Sequence, residues 1–256
     1  MIRHRLIYAL SLLTAIAVGA ADKMVPAQAG PPEVVVCLPL GVVPGTNTVR
    51  VRGLNLTNAT EIRFSPAVTG LEAVIKSKGA AKVPDKQEAK QVGDSELEVL
   101  LRIPPGLTND LIQFSVVTPL TNSAPHALRI LPVAIYVPEQ EPNGGFRAAQ
   151  ELKLPAMVGG VIEKPLDVDV YAFMAPAGKK IRAEIIAARL GSPLDSLLTL
   201  LDEQGHSLSA NDDSAGRDSV LEVKLPAAGR YFLSVQDAND LGGPVHAYLL
   251  DVRWVD

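Results

Sequence analysis

From Val34 onward, apolar residues arrive in runs of strand length separated by turn residues, which leaves room for little except short strands. The first half holds Val34 to Leu38, Thr48 to Arg52, Glu61 to Phe64, Leu97 to Ile103, Ile112 to Thr118 and Ala127 to Leu131, punctuated by Pro44-Gly45, Ser65-Pro66, Pro104-Pro105-Gly106 and Thr121-Asn122-Ser123. Val-, Ile- and Leu-rich runs at this spacing predict antiparallel strands packed as a sandwich. The stretch Lys76 to Asp94, with five lysines and little apolar content, reads as a solvated loop. Ile135 to Gly145 carries two prolines and two glycines and marks a boundary. Strands resume at Met157 to Glu163, Val168 to Met174, Lys180 to Ala187, Leu197 to Leu201, Ser219 to Leu225, Tyr231 to Gln236 and Ala247 to Trp254, with one short helix expected near Phe146 to Leu152. The expected fold is all-β: two tandem β-sandwiches at residues 30–134 and 146–256, joined by a linker at 135–145.

At the start of the chain, Arg3 and Arg5 precede the charge-free run Leu6 to Ala20 and a small-residue end. This describes a secretory signal peptide, with cleavage after Ala20 or Ala29, so residues 1–29 are set aside as signal and a short N-terminal segment. The run falls short of the roughly 20 residues needed to span a bilayer, and the mature chain is expected to have no transmembrane span. The expected location is secreted, periplasmic or otherwise in the cell envelope. A single cysteine excludes a disulfide framework and a cysteine-ligated zinc site, and Cys37 reads as a buried hydrophobe of an early strand. The net charge of −4 gives no reason to expect nucleic-acid binding. That charge is unevenly placed: residues 30–137 carry ten basic and nine acidic side chains, residues 138–256 eleven and eighteen.

In the second half a series of short motifs occurs in one order: Glu141-Pro142-Asn143, Gly160-Val161-Ile162, Asp167 to Phe173, Leu200 to Gly205, Asn211-Asp212-Asp213, Gly229-Arg230-Tyr231-Phe232 and Tyr248. The series resembles the bacterial pre-peptidase C-terminal (PPC) domain, which implies a jelly-roll-like sandwich of the kind appended to secreted hydrolases. The first half is similar to immunoglobulin-like domains of the IPT/TIG type through Pro44-Gly45, Val49 to Val51, Gly53 to Leu56 and Ile62-Arg63-Phe64.

Glu139, Glu141 and Asn143 alternate, so an extended chain turns all three toward one side, and Asp167 and Asp169 do the same at the start of their strand. Calcium takes six to eight hard oxygen ligands, and two such rows brought together supply several. The resemblance to collagenase domains that hold calcium between linker and strand nominates all five residues. In the competing reading, Glu141 and Asn143 hydrogen-bond a turn and the aspartates are solvated. Gly144 stands after Asn143 where the family commonly has an acidic or polar residue.

Catalytic patterns are poor. His126, His206 and His246 lack the three- or four-residue spacing of zinc hydrolases, and Gly93-Asp94-Ser95 has no matching base. Asn211 to Glu222 resembles a calcium loop but has Ala215 at a ligand position, and reads as a polar hairpin turn. The aromatic residues Tyr171, Phe173, Tyr231, Phe232 and Tyr248 are expected in the core. The sequence thus points to a secreted non-catalytic binding or structural protein of the cell envelope, without catalytic residues, with calcium as the candidate ion and an extracellular protein or polymer as partner. The alternative is an accessory or targeting module of a secreted peptidase or hydrolase system.

Overall fold

The computed structural model describes residues 30–256 apart from Thr108, Ser214 and Ala215, so the expected signal segment 1–29 lies outside the described residues. The first sandwich comprises β1 (Glu33–Leu38), β2 (Gly41–Val42), β3 (Gly45–Leu54), β4 (Glu61–Phe64), β5 (Glu72–Ala80), β6 (Ser95–Ile103), β7 (Leu111–Val117) and β8 (His126–Ile130). One sheet runs β1-β3-β6-β5 and the other β2-β8-β7-β4. Alternate residues of these strands, among them Val49, Val51, Leu97, Val99, Ile112 and Phe114, fill the space between the sheets.

The stretch expected as a solvated loop begins inside a strand and ends just past a helical turn, and only residues 81–88 between them lie outside regular structure as a loop. β5 pairs with β6 along its length and ends its sheet, and a single turn of helix, α1 (Ala89–Val92), follows. The lysines that disguised the strand suit an edge position, where charge discourages pairing with another chain. The helix expected near Phe146 to Leu152 is absent from those residues. A turn occupies the segment, Phe146 packs on Phe232 with ring centroids 4.8 Å apart, and the chain enters a two-residue strand.

The second sandwich comprises β9 (Tyr136–Pro138), β10 (Gln150–Glu151), β11 (Ala156–Val161), β12 (Val168–Ala175), β13 (Lys180–Ile186), β14 (Ser196–Leu201), β15 (Ser207–Asn211), β16 (Val220–Lys224), β17 (Gly229–Asp237) and β18 (Ala247–Val255). Its sheets run β10-β12-β17-β14-β15 and β16-β13-β18-β11-β9. Two short strands, β9 and β10, pair in parallel at the edges of opposite sheets. Residues 139–149 therefore cross from one sheet to the other, which carries the acidic segment over the gap between them.

The two sandwiches share an apolar seam. β1 is apolar on both faces: Cys37 packs in the first core, while Val36 and Leu38 join the cluster that contains Leu190, Leu194, Val245 and Leu249 of the second sandwich. Leu40, Val92 of α1 and Leu131 enter the same cluster. Burying Cys37 in this way pushes its thiol up to about 12, which removes thiolate reactivity at neutral pH. Polar contact adds to the seam where the Gln87 side-chain amide donates to the Gly242 carbonyl at 3.1 Å. Gly191, at φ +87°, lies so close to β1 that a Cβ there would fall 1.9 Å from the Val35 carbonyl oxygen. Gly191→Ala is accordingly expected to destabilise the protein by about 2 kcal/mol or more in denaturant titration, from left-handed strain plus overpacking, and to speed amide exchange along β1.

Candidate metal centre

The acidic segment and the start of β12 converge in the gap between the two sheets of the second sandwich. Carboxylate oxygens of Glu139, Glu141 and Asp169 lie within 4.8 Å of one another. Asp169 belongs to one sheet; the other contributes Gly160 from β11 and Tyr248 from β18, which are register partners. A Cβ on Gly160 would fall 2.5 Å from the Tyr248 hydroxyl and 2.9 Å from Glu139 Oε1, so only glycine admits this approach.

Glu139 is the hub. Its Oε1 accepts hydrogen bonds from the Tyr171 hydroxyl at 2.9 Å, the Tyr248 hydroxyl at 3.0 Å and the Asn143 side-chain amide at 3.1 Å. Its Oε2 accepts the Val161 N–H at 2.8 Å. Tyr248 also reaches Asp169 Oδ2 at 2.6 Å, and the two tyrosine hydroxyls are 2.5 Å apart. Glu141 accepts the Asn143 backbone N–H at 2.9 Å, and the Asn143 carbonyl accepts the Val170 N–H at 3.1 Å, tying the segment to β12.

Asp169 and Asn143 are both fully buried, so Asp169 is not the solvated strand-end residue of the competing reading. Burial, then the charge of Glu139, pushes the Asp169 carboxyl up to about 9. The Tyr171 and Tyr248 hydroxyls are held well above their ordinary range, first by burial and then by charged or ionisable neighbours of the cluster. Asp169 Oδ1 and Asn143 Oδ1 are buried and have no hydrogen-bond partner. Unsatisfied buried acceptors of this kind are costly, and a hard cation is one thing that satisfies both. The donor set is entirely oxygen, which fits calcium or magnesium and suits zinc poorly.

Asp167 is placed differently from its four companions. It precedes β12, its Oδ2 accepts the Glu163 N–H at 2.8 Å, and its Oδ1 sits 3.9 Å from Lys164 Nζ. It closes the turn before β12 and is not among the three carboxylates that converge.

Tyr171 and Tyr248 are core residues, as their strand positions imply, but their hydroxyls belong to the cluster. A period-two signal existed for Tyr171: Asp169, Tyr171 and Phe173 share one face of β12, so an inward Phe implies an inward Asp that needs donors. Tyr248 carried no such signal, because its partners are 79 and 109 residues away.

Other candidates resolve as structural. Ser95 is buried, donating to the Gly53 carbonyl at 2.8 Å and accepting the Leu56 N–H at 3.1 Å. His206 lies on an exposed turn against Asp202. Within the loop from Asn211 to Glu222, the Asn211 side chain accepts the Val220 N–H and Glu222 pairs with Lys180 and Arg182 on the neighbouring strand; Ser214 and Ala215 are outside the described residues.

Residues 167–237 match the family model of the bacterial pre-peptidase C-terminal domain. Over 104 residues the chain is 41% identical to a probable subtilase-type serine protease of Deinococcus radiodurans, in an alignment covering 40% of this chain. The matched part spans 14% of that relative's length. Among solved structures, the pre-peptidase C-terminal domain of a Bacillus anthracis collagenase aligns at 19% identity and a TM-score of 0.35, covering 41% of this chain and 94% of that one. An Aeromonas hydrophila periplasmic inhibitor of g-type lysozyme aligns at 18% identity and a TM-score of 0.31, covering 47% and 96%. The family match runs from the turn before β12 to the end of β17 and so falls within the second sandwich.

Proposed function

We propose that the chain is a non-catalytic accessory module of a secreted peptidase or hydrolase system, and that its second sandwich holds one calcium ion at Glu139, Glu141, Asn143 and Asp169. The metal reading rests on the two orphaned acceptors, Asp169 Oδ1 and Asn143 Oδ1, buried beside two further carboxylates. The accessory reading is supported by the domain match and by the protease relative, of which the matched part is a small fraction. Among the described residues, no helix is long and apolar enough to cross a membrane. The role of calcium here is mechanical: it would neutralise the carboxylates and pin residues 139–143 to β12, fixing where the first sandwich leads into the second.

A second reading, direct binding of an extracellular polymer or protein, draws on the cleft of about 460 Å³ between the sandwiches. Thr48, Arg50 and Glu98 line it from one side and Glu139, Gly160 and Tyr248 from the other. Polar groups on apolar walls suit a short extended segment.

Calcium at a hundredfold excess over its Kd is expected to stabilise the full chain by about 2.7 kcal/mol, read as a rise in melting temperature. Asp169→Asn should abolish the rise, while Asp167→Asn should keep most of it; an unchanged wild-type melt in excess calcium would sink the site.

The metal-free protein should also show a distinctive pH dependence. Asp169 keeps its proton up to about pH 9 when folded, whereas an unfolded chain releases it near the usual carboxylate value of 3.8. Folding takes up a proton across that window, so this group's contribution to stability falls as pH rises from 3.8 toward 9. Melts between pH 7 and 9 should show the fall without calcium, and saturating calcium or Asp169→Asn should flatten it.

Purified protein is expected to hydrolyse neither peptide nor ester substrates. Turnover that a single Ser, Asp or His substitution removes would overturn the non-catalytic reading.

A further inference from the structure

Two of the three histidines among the described residues sit at the seam, on different contacts and unrelated to the carboxylate cluster. His126 begins β8 of the first sandwich, and its ring meets the turn at residues 188–191 of the second: a Cβ added to Gly191 would fall 3.0 Å from its Cε1. Phe114 packs edge-on against the same ring at a centroid distance of 5.6 Å. His126 Nε2 is buried and has no hydrogen-bond partner.

His246 precedes β18 of the second sandwich and is fully buried, with both ring nitrogens unpartnered. It lines a cavity of about 230 Å³ that the first sandwich closes with Gln87, Gln91 and Val92. Gln87 Oε1, on the far wall, is also buried without a partner. An imidazole in either place is tolerated neutral and disfavoured as a cation, because burial outweighs the few groups that favour the extra proton, the Leu190 backbone at His126 and Asp237 with the Gly243 backbone at His246.

We propose that the seam is an acid-sensitive latch, in which neutral His126 and His246 allow the two sandwiches to dock tightly and their protonation on acidification loosens the docking. The groups that face each ring set the sign. At His246 the charged neighbours are Asp237, which favours the proton, and Arg217, which opposes it; Asp195 lines the same cavity. Asp237 is already committed, accepting the backbone N–H groups of Asp195, Asn239 and Leu241. Lys86, Glu88 and Lys90, near α1, are exposed and do not line the cavity. At His126, Arg189 on the facing turn is engaged by Glu184 and Asp218. Elsewhere on β8, Arg129 faces Asp251 of β18 and pairs with Asp110 at 3.9 Å.

Burial dominates at both rings. It lowers His126 to about 4, against a backbone hydrogen bond at Leu190 that pulls the other way, and it lowers His246 as well. Each ring therefore binds its proton more readily in the loosened state. Docking is complete above the free imidazole value of about 6.5 and weakens as pH falls below it, by up to tenfold per pH unit for each histidine. The effect runs opposite to that of Asp169, whose release of a proton acts toward high pH.

The test is amide exchange on the full chain between pH 7.5 and 4, corrected for intrinsic rates, with strand content followed by circular dichroism. Protection of the Val92, Gly93, Gly191 and Gly243 amides, which are hydrogen-bonded at the seam, is expected to fall below pH 6.5 while the centres of β6 and β14 stay protected. His126→Phe combined with His246→Leu should remove the pH dependence at those four amides. Since that variant can fail to fold, the C2 protons of both rings in the wild type are titrated by NMR, and both are expected to titrate below 6.5, in step with the exchange. Seam protection independent of pH, ordinary titration of both rings near 6.5, or loss of strand signal together with seam protection would each overturn the latch.

Discussion

The apolar seam is the constraint on which the remaining architecture depends. A strand buried on both faces has no exposed side to leave polar, and β1 meets this condition by giving Cys37 to one core and Val36 and Leu38 to the other. The first sandwich therefore cannot turn that face to water without exposing a contiguous apolar patch, and the second covers it with Leu190, Leu194, Val245 and Leu249. Close approach at Gly191 and the placement of α1 both follow from this need for contact. Two small domains of limited core volume each gain burial from the other, which matters in a chain without disulfides.

The seam also fixes the setting of the carboxylate cluster. The chain leaves the first sandwich at β8, forms β9 at the edge of one sheet, and must reach β10 at the edge of the opposite sheet. The crossing segment carries Glu139, Glu141 and Asn143 over the gap, where Asp169, Tyr171 and Tyr248 point inward. A carboxylate in such a place needs donors, a proton or a cation. Two tyrosine hydroxyls, the Asn143 amide and one backbone N–H satisfy Glu139, yet one oxygen of Asp169 and one of Asn143 remain without partners. That unmet demand is what the proposed calcium would answer.

Much of the placement of strands along the chain was legible because apolar alternation and turn residues act locally. The failures have local causes too. β5 is a mostly exposed edge strand, so it lacks the buried alternation that marks a strand, and its lysines imitate a loop. Phe146 and its neighbours carry a helical apolar spacing that serves a turn packed on Phe232. For the site, the acidic segment and Asp169 could be singled out from residue type and alternation, whereas Asp167 shares that alternation but is diverted by the Glu163 N–H and Lys164.

By itself the sequence determined the strand-rich class, the resemblance of the second half to the pre-peptidase C-terminal domain and the oxygen-rich chemistry of residues 139–169, because each depends on residue type and on spacing within one segment. Only the tertiary structure decided which oxygens converge, that Tyr248 reaches back 79 residues to Asp169, and that a buried His246 and a half-buried His126 sit where the sandwiches meet. Those outcomes depend on which sheet edges the crossing segment joins and on how closely glycines 160 and 191 let backbones and side chains approach, and such distances between remote segments are written in no local pattern.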